Sequence, residues 1–195
     1  MNMKRVSLIG DSIRMGYLDT VRKELSTEAE VWSPEGNCMH SVHHLFNLAW
    51  YLDQPADVIH FNCGLWDCRR LGKGHSENAV PVELYVRNVD FLISQIRSRS
   101  NAVLIWATIT PVVQSRYNAR FTAVTDPSRV AEDSAKYNEA LAPVLEKHAV
   151  EVNNLYSFVM DNGVEQMICD DGVHYTEAAS AILGRRVADR IKNYL

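Results

Sequence analysis

The chain has 195 residues, 47% of them hydrophobic, which suits one domain with a buried core and argues against disorder. Its 24 acidic and 20 basic residues give a formal charge of −4 and are spread along the chain, so no basic stripe is offered to nucleic acid. No apolar run reaches the roughly 18 residues of a membrane helix, and the opening run at 6–9 is too short for the core of a secretory signal. The expectation is a cytoplasmic protein whose four cysteines (Cys38, Cys63, Cys68 and Cys169) are free thiols, because they lack the paired spacing of a zinc site.

Short β-rich apolar runs alternate with stretches of helical period, the pattern of a parallel sheet covered by helices on both faces. The first strand spans 6–9. Gly10-Asp11-Ser12 interrupts it before a helix over 13–25, so Ser12 stands where a strand gives way to a helix. A weaker strand at 29–32 precedes a loop at 33–37 and a helical stretch at 42–52. The third strand, 58–62, is framed by Pro55 and Gly64. Val89, Leu92, Ile93 and Ile96 recur at helical spacing within 81–99, and a fourth strand follows at 102–107. Pro111 opens a long segment, 112–127, rich in turn formers and carrying Arg116, Tyr117, Arg120 and Phe121. A loop of that length is expected to serve as a lid or an interface. A helix at 133–148, a fifth strand at 150–155 and a short helical piece lead to the loop Asp170-Asp171-Gly172-Val173-His174. Thr176 then caps a final helix over 177–194. No linker or repeat divides the chain, so one domain over 1–195 is expected.

In an open parallel sheet, ligands bind outside the carboxyl ends of the strands, where the loops converge. Ser12, the segment 62–67 and Thr110 all follow strands and belong at that edge. A serine hydroxyl is a poor nucleophile until a base takes its proton, so hydrolysis needs an imidazole in reach and a group that fixes its tautomer. Ser12, His174 and Asp171 supply those types, and the three-residue spacing lets one loop present both Asp171 and His174. Taken alone, Ser12 is as well explained as a helix cap, His174 as a surface or core histidine, and Asp171 as a turn former.

Gly10-Asp11-Ser12 after the first strand, Asn62-Cys63-Gly64-Leu65-Trp66-Asp67 after the third, and Asp171-Gly172-Val173-His174 before the last helix resemble, in order, the blocks of the GDSL or SGNH hydrolase family. Residues 106–111, Tyr137-Asn138 and 154–156 look most similar to its carbohydrate-esterase-like members. The resemblance implies a three-layer α/β/α sandwich, flavodoxin-like, with a five-stranded parallel sheet. It also implies ester hydrolysis through an acyl-enzyme with neither metal nor other cofactor, and substrates from acetylated sugars to lipids and thioesters. Ser12, His174 and Asp171 would be catalytic; Gly36, Asn62, Gly64 and Trp66 would serve the oxyanion or the substrate.

One departure stands out. Where the family block has an asparagine that helps hold the oxyanion, this chain has Trp66, whose indole N–H is a donor without acceptor character. Trp66 is equally a packing or sugar-stacking aromatic. Asn62 is a second candidate donor, the others being the backbone N–H of Ser12 and of Gly36. Asp67 is expected to anchor its loop by accepting backbone N–H bonds. Arg69 and Arg70 fit a solvated loop, with a polar substrate as the sharper alternative. His40 and His44 are expected on a solvated helix face rather than at a metal. The partner expected is a small-molecule or glycan ester, with neither nucleic acid nor membrane. A lipid or thioester hydrolase, or a carbohydrate-binding pseudo-esterase, is the alternative.

Overall fold

A computed structural model describes residues 3–72 and 76–195. Its elements are β1 (Lys4–Ile9), α1 (Ser12–Glu24), β2 (Ala29–Trp32), α2 (Ser41–Leu52), β3 (Val58–Phe61), α3 (Val82–Arg99), β4 (Val103–Ala107), α4 (Gln114–Arg120), α5 (Ala131–Lys147), β5 (Glu151–Asn153), α6 (Leu155–Asn162), α7 (Val164–Met167) and α8 (Glu177–Lys192). The five strands form one parallel sheet in the order β2-β1-β3-β4-β5. That order is the flavodoxin-like one, as expected.

The central strands are buried end to end where they cross the core: Val6, Leu8 and Ile9 on β1, Val58, Ile59 and Phe61 on β3, and Leu104, Ile105 and Trp106 on β4. Strands covered on both faces read as continuous apolar runs for this reason. Helix α1 packs against α8, while α2 and α5 both pack against α3, so the helices form two layers. The chain runs from β1 through α1 outward to β2, returns to β3, and then proceeds to β4 and β5. The connections therefore diverge between β1 and β3, and the crevice at their carboxyl ends lies at this switch point.

Two expectations change. The segment 112–127 is not loop throughout, because residues 114–120 form α4. Val113 N–H bonds the Gly172 carbonyl at 2.8 Å, and Asn118 clamps Arg129 through both its N–H (3.0 Å) and its carbonyl (2.9 Å). Those tertiary contacts hold a turn too short to stand alone. The α2 histidines are not a solvated face either. His40 is the N-cap, its Nδ1 accepting from His43 N–H at 3.1 Å, and His44 is 2% exposed with its ring against Tyr51. The four thiols are free. No helix among the described residues is long and apolar enough to cross a membrane.

Candidate active site

Ser12 is the first residue of α1. Asp11 caps the helix by accepting the Ile13 N–H at 3.0 Å, and the Ser12 N–H is one of the first-turn donors for which the helix offers no carbonyl. The serine is thus presented at a helix end that carries partial positive charge. Burial pushes the enclosed Asp11 carboxyl up; the Ile13 N–H, the Asn62 side chain and the charges of Arg129 and Arg14 oppose that rise.

The loop between α7 and α8 brings the second part. Cys169 N–H bonds the His174 carbonyl at 2.7 Å, and Ile168 bridges Tyr175, closing the loop on itself. Gly172 makes its turn at φ +78°, where a Cβ would lie 2.5 Å from both the Val113 carbonyl oxygen and the Tyr117 nitrogen. Asp171 Oδ1 accepts the N–H groups of Val173 and His174, both at 2.9 Å, and Oδ2 lies 2.6 Å from His174 Nδ1. Burial raises the Asp171 carboxyl, but these donors more than offset it and hold the group below its ordinary value. His174 Nε2 lies 2.8 Å from Ser12 Oγ. Ser12, His174 and Asp171, separated by 162 residues of chain, therefore stand in one hydrogen-bonded line.

A cleft of about 500 Å³ opens beside them. Leu65, Trp66 and Val173 line it with Asn37, and Tyr117, Phe121, Arg69, Arg120 and Arg129 complete its walls. Of the other sequence candidates, Trp66 reaches the cleft. Gly36 does not line it: the buried Arg14 side chain draws in the carbonyls of Pro34, Gly10 and Gly36, and the next residue, Asn37, is turned to the cavity. Asn62 is buried beneath Gly10, where a Cβ on that glycine would collide with Asn62 Oδ1. Gly64 turns the chain after β3 at φ +137°, and a Cβ there would collide with Ile109. Asp67 receives the Ser41 N–H at 3.0 Å and the Ser41 hydroxyl at 2.5 Å, tying the loop after β3 to the start of α2. Arg70 is not solvated: with Asn78 it pairs with Asp133, 3.1 Å away.

Asn37 and Arg129 are the lining residues outside the sequence candidates. Asn37 adjoins the expected glycine, and its Oδ1 accepts the Met39 N–H at 2.8 Å. Arg129 follows the long segment and belongs to no motif, so its sequence carried no signal. No group of histidine, cysteine and acidic side chains fit to hold a metal occurs among the described residues.

No protein-family model matches the chain. A GDSL esterase/lipase of Arabidopsis thaliana is 23% identical over 150 residues, 73% of this chain, which spans 61% of that relative's length. Similar solved structures include a lipase/acylhydrolase from Enterococcus faecalis (TM-score 0.79, 19% identity, 98% of this chain and 96% of that one). An acetyl xylan esterase follows (0.74, 14%, 96% and 99%), as does a variant of an acetyl-xylooligosaccharide esterase from a Geobacillus (0.73, 15%, 96% and 94%). The chain thus resembles a GDSL esterase/lipase in sequence over 150 residues and shares, over nearly its whole length, the fold of these solved structures.

Proposed function

We propose that the protein is a carboxylic ester hydrolase that removes a short, acetyl-like acyl group through an acyl-enzyme on Ser12. The observation that carries this reading is the unbroken line from Ser12 Oγ to His174 Nε2 (2.8 Å) and from His174 Nδ1 to Asp171 Oδ2 (2.6 Å). As Ser12 Oγ attacks the ester carbonyl, its proton passes to His174 Nε2. Asp171 fixes the Nδ1–H tautomer and stabilises the imidazolium. That proton then goes to the leaving alkoxide oxygen, and the C–O bond of the ester breaks. Water repeats the sequence on the acyl-enzyme, releasing the acid and restoring Ser12.

The oxyanion forms beside the start of α1, where the Ser12 N–H is free of intrahelical bonding. Asn37 offers its amide N–H₂, since its Oδ1 is already occupied by Met39 N–H. Trp66 supplies a further N–H or a flat wall for the substrate, in the place of the missing asparagine. A carbohydrate ester suits the aromatic lining of Trp66, Tyr117 and Phe121, since sugar rings stack on such faces. Two structural relatives are described as acetyl esterases acting on xylan or xylooligosaccharide. The apolar side of the cleft, Leu65, Val173 and Phe121, favours as a second reading a longer acyl chain.

Hydrolysis of p-nitrophenyl acetate and longer-chain homologues, by wild type, Ser12→Ala and His174→Ala, tests both readings. Turnover lost in both variants, and falling with chain length in wild type, supports the proposal. Turnover that survives in Ser12→Ala refutes it, and a preference for long chains selects the second reading.

A further inference from the structure

The cleft beside the triad is lined by three cations. Arg69, Arg120 and Arg129 all line it, in a chain whose formal charge is −4. All three side chains are guanidinium cations. None of them pairs with a carboxylate among the described residues, whereas neighbouring Arg70 pairs with Asp133 and Arg116 with Glu165. The single acidic side chain on the cleft among the described residues, Asp171, already serves His174 and Val173 with both its oxygens.

Arg129 is the sharpest case. Its side chain is held at 6% exposure by Nη1 donating to the Leu65 carbonyl at 2.5 Å and by the Tyr117 ring 5.0 Å from its guanidinium carbon, yet its Nε has no partner. Arg69 sits 4.9 Å over the Trp66 ring, and its Nε is also unmatched. The two aromatic faces thus fix two guanidiniums at the cleft without neutralising them. Asp11 feels the charge of Arg129, but its burial disfavours its charged form. A buried cation without a counterion costs folding free energy, and an anion entering the cleft recovers it.

We propose that the substrate is an ester whose non-reacting part bears an oxyanion, a carboxylate or a phosphate, gripped by Arg69, Arg120 and Arg129 while its carbonyl lies against Ser12. This rests on the hydrolase reading above and names the substrate class for the same site. Charge-assisted bonds to guanidinium are about twice as strong as neutral ones and match the geometry of both anions.

The test compares kcat/KM on 4-acetoxybenzoate and 4-acetoxyphenyl phosphate with that on methyl 4-acetoxybenzoate, the uncharged counterpart. The methyl ester carries the better leaving group, so any preference for the carboxylate reflects recognition. The expected result is a kcat/KM for at least one anion about 10- to 100-fold above the neutral ester, arising mainly in KM. That ratio collapses toward unity in Arg69→Gln and Arg120→Gln, and falls at about 1 M salt, where the screening length is about 3 Å. Which anion gains tells carboxylate from phosphate. Ser12-dependent turnover with no preference for either anion overturns the proposal and leaves the hydrolase reading intact. If no ester is turned over, the hydrolase reading has failed, and calorimetry of the Ser12→Ala protein with the two anions decides the anion site alone. Binding that weakens about tenfold or more when Arg120→Gln is added supports it; no binding overturns it.

Discussion

His44 and His60 are fully enclosed, and burial pushes both imidazoles from the ordinary 6.5 down to about 3. Unfolding exposes them, so below about pH 6.5 the unfolded chain binds protons that the native state refuses, and stability falls as pH falls through that window. From about pH 7.5 to about pH 5 each exposed imidazole gains about 2 kcal/mol of protonation free energy, about 4 kcal/mol for the pair. Asp67 acts in the opposite sense. Burial raises its carboxyl from 3.8 to about 6 despite the donors on Ser41, so the native state takes up this proton first and gains about 1 kcal/mol at pH 5. A net loss of about 2–3 kcal/mol from these three groups is large against a total stability of about 5–15 kcal/mol. His60→Gln isolates one of them: glutamine can keep the bond that His60 Nε2 shares with Asn153 Nδ2 at 3.2 Å, and it does not titrate. Urea unfolding of both proteins at the two pH values should show wild type losing about 2 kcal/mol more than the variant, with Asp67 cancelling in the comparison. Equal losses, within about 0.5 kcal/mol, would refute the reasoning, because His60 would then accept its proton in the folded state.

Asp171→Asn keeps an oxygen for the N–H groups of Val173 and His174 but turns an amide donor toward Nδ1, which favours the wrong tautomer of His174. Ester kcat should fall on the order of 1,000- to 10,000-fold, with little change in melting temperature. On the proposed mechanism Asn37 donates to the oxyanion, so Asn37→Ala should lower kcat by roughly 100-fold while KM stays within about threefold; a change confined to KM would assign Asn37 to substrate binding instead.

The parallel sheet and its switch point were legible because buried central strands give continuous apolar runs, and Ser12 and His174 were legible because each sits at a junction between elements. Periodicity says which residues share a helix face but not what that face meets. His40 and His44 share their spacing with a solvated stripe, yet α2 turns His44 onto Tyr51. Helix α4 was hidden because seven residues of modest propensity depend on the contacts of Val113 with Gly172 and of Asn118 with Arg129. The glycine expected at the cleft was one residue away from the side chain that reaches it. The shift is caused by Arg14, a charged residue in an apolar helix stripe whose enclosure no local pattern announced.

The helix that carries Ser12 and the helix that follows His174 are in direct contact. Gly16 of α1 faces Ser180 of α8, and Gly184 of α8 faces Thr20 of α1; a Cβ at 184 would lie 2.5 Å from Thr20 Cβ and 3.0 Å from the Tyr17 carbonyl oxygen. Alanine at 184 would raise the helix propensity of α8 by about 1 kcal/mol in isolation. In the fold it must push the helices apart, at a cost of about 1–3 kcal/mol. Because α8 begins three residues after His174, that displacement also lengthens the 2.8 Å step to Ser12 Oγ. Gly184→Ala should therefore lower kcat about 10- to 100-fold, far more than its effect on stability alone would cause in a protein that remains folded at the assay temperature. Thr20→Gly, added to it, removes the opposing Cβ and should restore most of the lost turnover. An active single variant with normal kcat would show that the His174 loop keeps its position without the α1–α8 contact, through its own hydrogen bonds, among them Val113 N–H to the Gly172 carbonyl, Cys169 N–H to the His174 carbonyl and Arg116 to the Ile168 carbonyl.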